Sequence, residues 1–118
     1  MSAIHLTKGG FLRRVNDYEN NGGQWNFKGE RPVLIDFFAT WCGPCQRLSP
    51  VIDELAKEYE GKVDIYKVDV DAEEELAAQF NVRSIPTLVF ASKDLDPQVT
   101  VGAMSKGQLK EALDQMIK

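Results

Sequence analysis

The sequence has two cysteines, and both lie in one pentapeptide, Trp41-Cys42-Gly43-Pro44-Cys45. Two thiols this close can alternate between a dithiol and a small disulfide ring, a two-electron couple. The apolar run Val33-Leu34-Ile35-Asp36-Phe37-Phe38 precedes the motif, and a segment with helical spacing follows it. A Cys-x-x-Cys where a strand gives way to a helix reads as a redox dithiol. The first turn of a helix carries unpaired N–H groups and the positive end of the dipole, which favour an anion. Cys42, at the helix start, is therefore expected to be the attacking thiolate. Cys45, one turn on and on the same face, is expected to be more buried and to resolve a mixed disulfide. Pro44 suits a first-turn position because it has no N–H to lose there.

Other readings of the pair are weaker. A structural disulfide closing so short a loop constrains the unfolded chain little. A zinc site wants about four ligands, and the one histidine, His5, is far away and reads as a strand residue. Two buried, inert cysteines remain the bland alternative.

Asp36 is the second chemistry-bearing residue. A carboxylate in a strand that is apolar on both faces is costly unless paired or protonated. Six residues before Cys42, it can sit beneath the sulfurs and give or take a proton. The alternative is a buried carboxylate satisfied by hydrogen bonds. Lys67, in a second apolar run from Val63 to Val70, is the candidate to neutralise it; a lysine snorkelling to water is the alternative.

The elements that must position these residues follow from periodicity. Ile4-His5-Leu6 is a short strand. Thr7 caps a helix from Lys8 to about Tyr18, with Phe11, Leu12, Val15 and Tyr18 facing the core. The polar, turn-rich segment 20–31 is a loop pinned by Trp25 and Phe27. Pro32 opens a strand from Val33 to about Ala39. A helix from Gly43 to about Tyr59 carries Leu48, Val51, Ile52, Leu55 and Tyr59 on its apolar face and is kinked at Pro50. Asp71-Ala72-Glu73-Glu74 fits a capping box opening a third helix. Pro86 belongs at a strand's first residue or an edge, with a cis bond left open. Residues 92–97 read as a hairpin turn and Gln98 to Gly102 as the last strand. Ser105-Lys106-Gly107-Gln108 is a second capping box before a helix with Leu109, Leu113, Met116 and Ile117 inward. The order β-α-β-α-β-α-β-β-α argues an α/β layer fold with a mixed sheet.

The 118 residues are enough for one domain with a sizeable core, read as a single domain over 1–118. A net charge of −4 with scattered Lys and Arg argues against nucleic acid or an anionic membrane as partner. No apolar run reaches membrane-spanning length. The stretch from Met1 to Leu6 is not a signal peptide. A cytoplasmic location is the simplest reading, with an exported, periplasmic one if a signal was removed. The two cysteines favour a catalytic dithiol over a staple in that setting.

With the motif placed, the chain resembles the thioredoxin family over nearly its whole length. The resemblance rests most on Trp41-Cys42-Gly43-Pro44-Cys45, then on Asp36, Pro50, Lys67, Ile85-Pro86-Thr87 and Gly102-Ala103. It implies a five-stranded mixed sheet flanked by four helices. It implies a protein-disulfide reductase in which Asp36 relays protons through water with Lys67 as its partner. Pro86, in cis, would align the substrate chain. Trp41, Ile85, Val101, Gly102 and Ala103 would form an apolar docking surface beside Gly43 and Pro44. No bound cofactor or metal is implied. The partners implied are disulfide-containing proteins and a flavin-containing, NADPH-dependent thioredoxin reductase, and a monomer is expected. An oxidase or isomerase of the same fold, or a non-catalytic binding subunit, is the alternative. Gln46, Phe38 and Ser84 depart from residues common in the family, and the 20–31 segment is longer than in its short members.

Overall fold

The computed structural model describes residues 3–118; the N-terminal stretch read above includes residues 1 and 2, which lie outside it. Five strands, β1 (Ile4–His5), β2 (Val33–Phe38), β3 (Asp64–Asp69), β4 (Thr87–Ser92) and β5 (Leu95–Val101), form one sheet in the order β1-β3-β2-β4-β5. Strands β1, β3 and β2 are parallel; β4 runs antiparallel to β2, and β5 antiparallel to β4. Four helices accompany them: α1 (Lys8–Arg14), α2 (Gly43–Glu58), α3 (Glu74–Gln79) and α4 (Lys106–Met116).

The centre of the sheet is buried on both faces, β2 and β4 being apolar at consecutive positions, whereas the edge strands β1 and β5 are largely exposed. On one face Val33, Ile35 and Phe37 of β2 meet Phe11 of α1 and Leu76 of α3. On the other, Leu34 and Leu88 meet Leu48, Ile52 and Leu55 of α2 and Leu109 and Leu113 of α4. Leu109 and Leu113 are fully buried, but Ile117 lies past the end of α4 and is exposed. The Ser105–Gln108 capping box forms as expected.

Three local expectations are corrected. Helix α1 ends at Arg14 rather than near Tyr18. Beyond it, buried Asn16 organises the following loop: its amide donates to Gln24 O and accepts from Asn21 Nδ2 and the Asn26 N–H. Trp25 and Phe27 stack with centroids 6.0 Å apart and pack on the core, so they do pin that loop. The box expected at Asp71–Glu74 does not form, since α3 begins at Glu74 with Glu73 as an uncapped N-cap. The Glu73 carboxylate instead accepts the Lys8 N–H at 2.8 Å and caps α1. Pro97 lies within β5 rather than in a turn. It falls where the pairing with β4 shifts register, on an edge strand, so its missing N–H breaks no ladder bond.

Candidate active site

The topology brings the chemistry to one end of the sheet. The parallel β2 and β3 end there, β4 begins there and β5 ends there. Strand β2 runs directly into the cysteine motif, as the sequence implies.

Cys42 is the N-cap of α2 and Cys45 lies in its first turn, the two joined as a disulfide with Cα atoms 5.3 Å apart. The Cys45 N–H donates to the Cys42 sulfur at 3.3 Å. A sulfur that caps a helix N-terminus sits where a negative charge is stabilised by an N–H and by the dipole. Pro44 occupies the first turn without cost to the helix. The expected contrast in burial is slight: both cysteines are buried, at 5% and 3% exposure. Around them pack Ala39, Phe38, Val70 and Ile85. Of these, only Ile85 is among the site residues the sequence points to; Phe38 ends β2 and Val70 directly follows β3, a position the strand assignments could flag.

The remaining docking residues divide into two groups. Trp41 is 69% exposed, and its indole N–H donates to Asp71 at 2.8 Å. Asp71 follows β3, so the tryptophan is held on the β3 side of the motif. On the β4 side, the Ile85–Pro86 bond is cis, and the Ile85 carbonyl lies 3.9 Å from the Cys42 sulfur. The Gly102 N–H donates to the Pro86 carbonyl at 2.8 Å, which ties the end of β5 to this segment. Gly102 has φ of 99°, a backbone shape that suits glycine. Val101 and Ala103 are exposed there and lie outside the apolar cluster around the cysteines. Gln46 is exposed and donates to the Thr40 carbonyl, bracing the motif's entry.

Asp36 is completely buried on the α2 face of the sheet, and neither carboxyl oxygen has a hydrogen-bond partner. Loss of hydration pushes its carboxyl from the ordinary 3.8 up to about 6, against the pull of Lys67 and with a push from Asp53. Lys67 is Asp36's register neighbour on β3 and is itself buried. The expected pairing is not made, and neither is a snorkel to water. The Lys67 ammonium donates to Ser49 Oγ of α2 and lies 5.3 Å from the centre of the Phe38 ring. Ser49 and Asp53 escaped the sequence reading. Their spacing from Cys45, four and eight residues along one helix face, was the available signal.

A two-cysteine redox couple at a helix start, in a chain that also buries a carboxyl in the strand leading to it, fits a thiol–disulfide oxidoreductase. The family profile described as Thioredoxin matches residues 15–115. Thioredoxin of Borreliella burgdorferi is 43% identical over 116 residues, covering 98% of this chain and 95% of that one. The chloroplastic M-type thioredoxin of Spinacia oleracea is 41% identical over 109 residues, 90% of this chain and 59% of its longer sequence. A crystal structure of chloroplastic thioredoxin z superposes with a TM-score of 0.80 at 25% identity, covering 98% of this chain and 95% of the other. The chain belongs to the thioredoxin family, and its chemistry is dithiol–disulfide exchange. The family needs no bound cofactor, the redox element being the cysteine pair itself. Among the described residues no three His, Cys, Asp or Glu side chains are grouped to hold a metal ion, and no helix is long and apolar enough to cross a membrane.

Proposed function

We propose that this protein reduces disulfides in other proteins, with Cys42 as the attacking sulfur and Cys45 as the resolving one. The observation that carries the reading is Cys42's position as the N-cap of α2, with its sulfur accepting the Cys45 N–H. In the reduced protein the Cys42 thiolate attacks one sulfur of a substrate disulfide. The substrate S–S bond breaks, a mixed disulfide forms, and the other substrate sulfur leaves as a thiolate that takes up a proton. Cys45 then gives its proton to the Asp36 carboxylate, through a water that supplies the hydrogen bond the carboxyl lacks. The Cys45 thiolate attacks the Cys42 sulfur, closes the Cys42–Cys45 disulfide and releases the second substrate thiolate. Two electrons pass from the protein to the substrate. Lys67 biases the charge on Asp36 from the neighbouring strand.

Exposed Trp41, with Gly43 and Pro44, and the Ile85–Pro86 and Val101–Ala103 segments form the surface on which the substrate chain docks. The Pro86 carbonyl is taken by the Gly102 N–H, which leaves the Ile85 carbonyl beside the Cys42 sulfur to meet the substrate backbone. The disulfide is regenerated to a dithiol by a flavin- and NADPH-dependent thioredoxin reductase. A reductase of this kind fits a reducing compartment, the cytoplasm in the simplest case, and the chain acts as one monomeric domain.

The test uses a disulfide-bonded protein substrate. Cys42→Ser abolishes turnover, and Cys45→Ser accumulates a mixed disulfide through Cys42. Trapping that survives Cys42→Ser would overturn the assignment of roles. The equilibrium potential of the pair separates reductase from oxidase: a value well below the glutathione couple supports reduction, and one at or above it assigns oxidation or isomerisation.

A further inference from the structure

Lys67 has a carboxyl group beside it and does not use it. In the parallel pairing of β2 and β3 it stands opposite Asp36, so both side chains leave the sheet on the same face. Both residues are buried, and both Asp36 oxygens are open. Opposite charges so placed attract more strongly than in water. The ammonium nevertheless donates to Ser49 Oγ and lies against the Phe38 ring. The hydroxyl oxygen gives it an acceptor, and the ring face gives its charge a second partner. Ser49 is one helical turn beyond Cys45 on the same face of α2. An alanine there would offer no acceptor.

We propose that Ser49 is a positioning residue for Asp36: its hydroxyl holds the Lys67 ammonium off the carboxyl, which stays unpaired. The consequence for turnover rests on the reading of Asp36 as proton carrier. Lys67 from β3 and Asp53 from α2 are the charged groups that bear on Asp36, and β4 sets uncharged Leu88 opposite it. Lys67 and Asp53 act in opposite directions. Removing the Ser49 oxygen frees the cation to swing to the two open carboxyl oxygens. The ionised form of Asp36 is then favoured and its proton is lost at lower pH.

The test follows the Asp36 carboxyl by NMR in isotope-labelled protein held in the disulfide form, where no thiol titrates. The parent inflects at about pH 6. In Ser49→Ala the inflection falls by roughly one pH unit or more, the effect of a newly adjacent opposite charge. Ser49→Thr, which keeps the hydroxyl, restores it. In a Lys67→Met background Ser49→Ala has no further effect, because the serine acts only through the lysine. An unmoved inflection in Ser49→Ala overturns the proposal, and so does an equal fall in the Lys67→Met background. Neither outcome bears on whether Asp36 carries protons in turnover, which the kinetics of Asp36→Asn decide separately.

Discussion

Asp36→Asn should make the disulfide form more stable at neutral pH, and the gain should appear only as pH rises. Asp36 is fully buried with no hydrogen-bond partner, and its carboxyl is pushed from 3.8 up to about 6. Between those values the folded chain keeps a proton that the unfolded chain has released. The folded state therefore binds more protons in that window, and its stability falls as pH rises through it. A difference of about 2 units, at about 1.4 kcal/mol each, is roughly 3 kcal/mol, absent below about pH 4 and complete above about pH 7. Asparagine carries no charge at any pH, so the variant escapes this fall. Its amide adds at most an offset that does not depend on pH. The assay is urea unfolding of both proteins, with the disulfide intact, from about pH 4 to about pH 8. With a slope of about 1.5 kcal/mol per molar urea, the gap between the two midpoints widens by about 2 M in favour of the variant. A gap that does not widen would refute the reasoning, because an unpaired carboxyl forced to ionise in an apolar setting must weaken the fold.

The same substitution should slow disulfide exchange near neutral pH by roughly a hundredfold, the lower end of what a positioned proton carrier contributes. Turnover equal to the parent's from about pH 6 to about pH 9 would remove Asp36 from the relay. Glu73→Ala takes away the acceptor of the Lys8 N–H and should lower stability by about 1 kcal/mol, read from the urea midpoint. An unchanged midpoint would mean that water replaces the cap without loss. Leu113→Ala, at a fully buried position between α4 and the sheet, should cost about 2–5 kcal/mol in the same assay. A cost under about 1 kcal/mol would show that the site collapses around the gap.

The sequence made the cysteine pair and its setting legible because both are local. Strand β2 is apolar at every position but Asp36, and the helix that starts at Cys42 shows its buried face by spacing alone. Both features act within one or two turns of chain. The element order is readable for the same reason, and the resemblance to the thioredoxin family turned that order into a topology. Element ends were less legible. Helix α1 stops at Arg14 because buried Asn16 is committed to the loop that follows, a demand made by residues five to ten positions away.

What the sequence determined by itself is the redox couple, the buried acid and the strands and helices that hold them. Only the tertiary structure decided which partners the polar side chains took. Asp71 and Glu73 look like capping residues for their own helix. Folded, Asp71 holds Trp41 and Glu73 caps α1, 30 and 65 residues away in sequence. Lys67 looks like the partner of Asp36, yet its ammonium goes to Ser49, 18 residues away. The physical reason is common to all three. Apolar burial depends on periodicity, which a short stretch already displays. A hydrogen bond depends on which donor and acceptor meet within about 3 Å, and that distance is set only when distant segments pack.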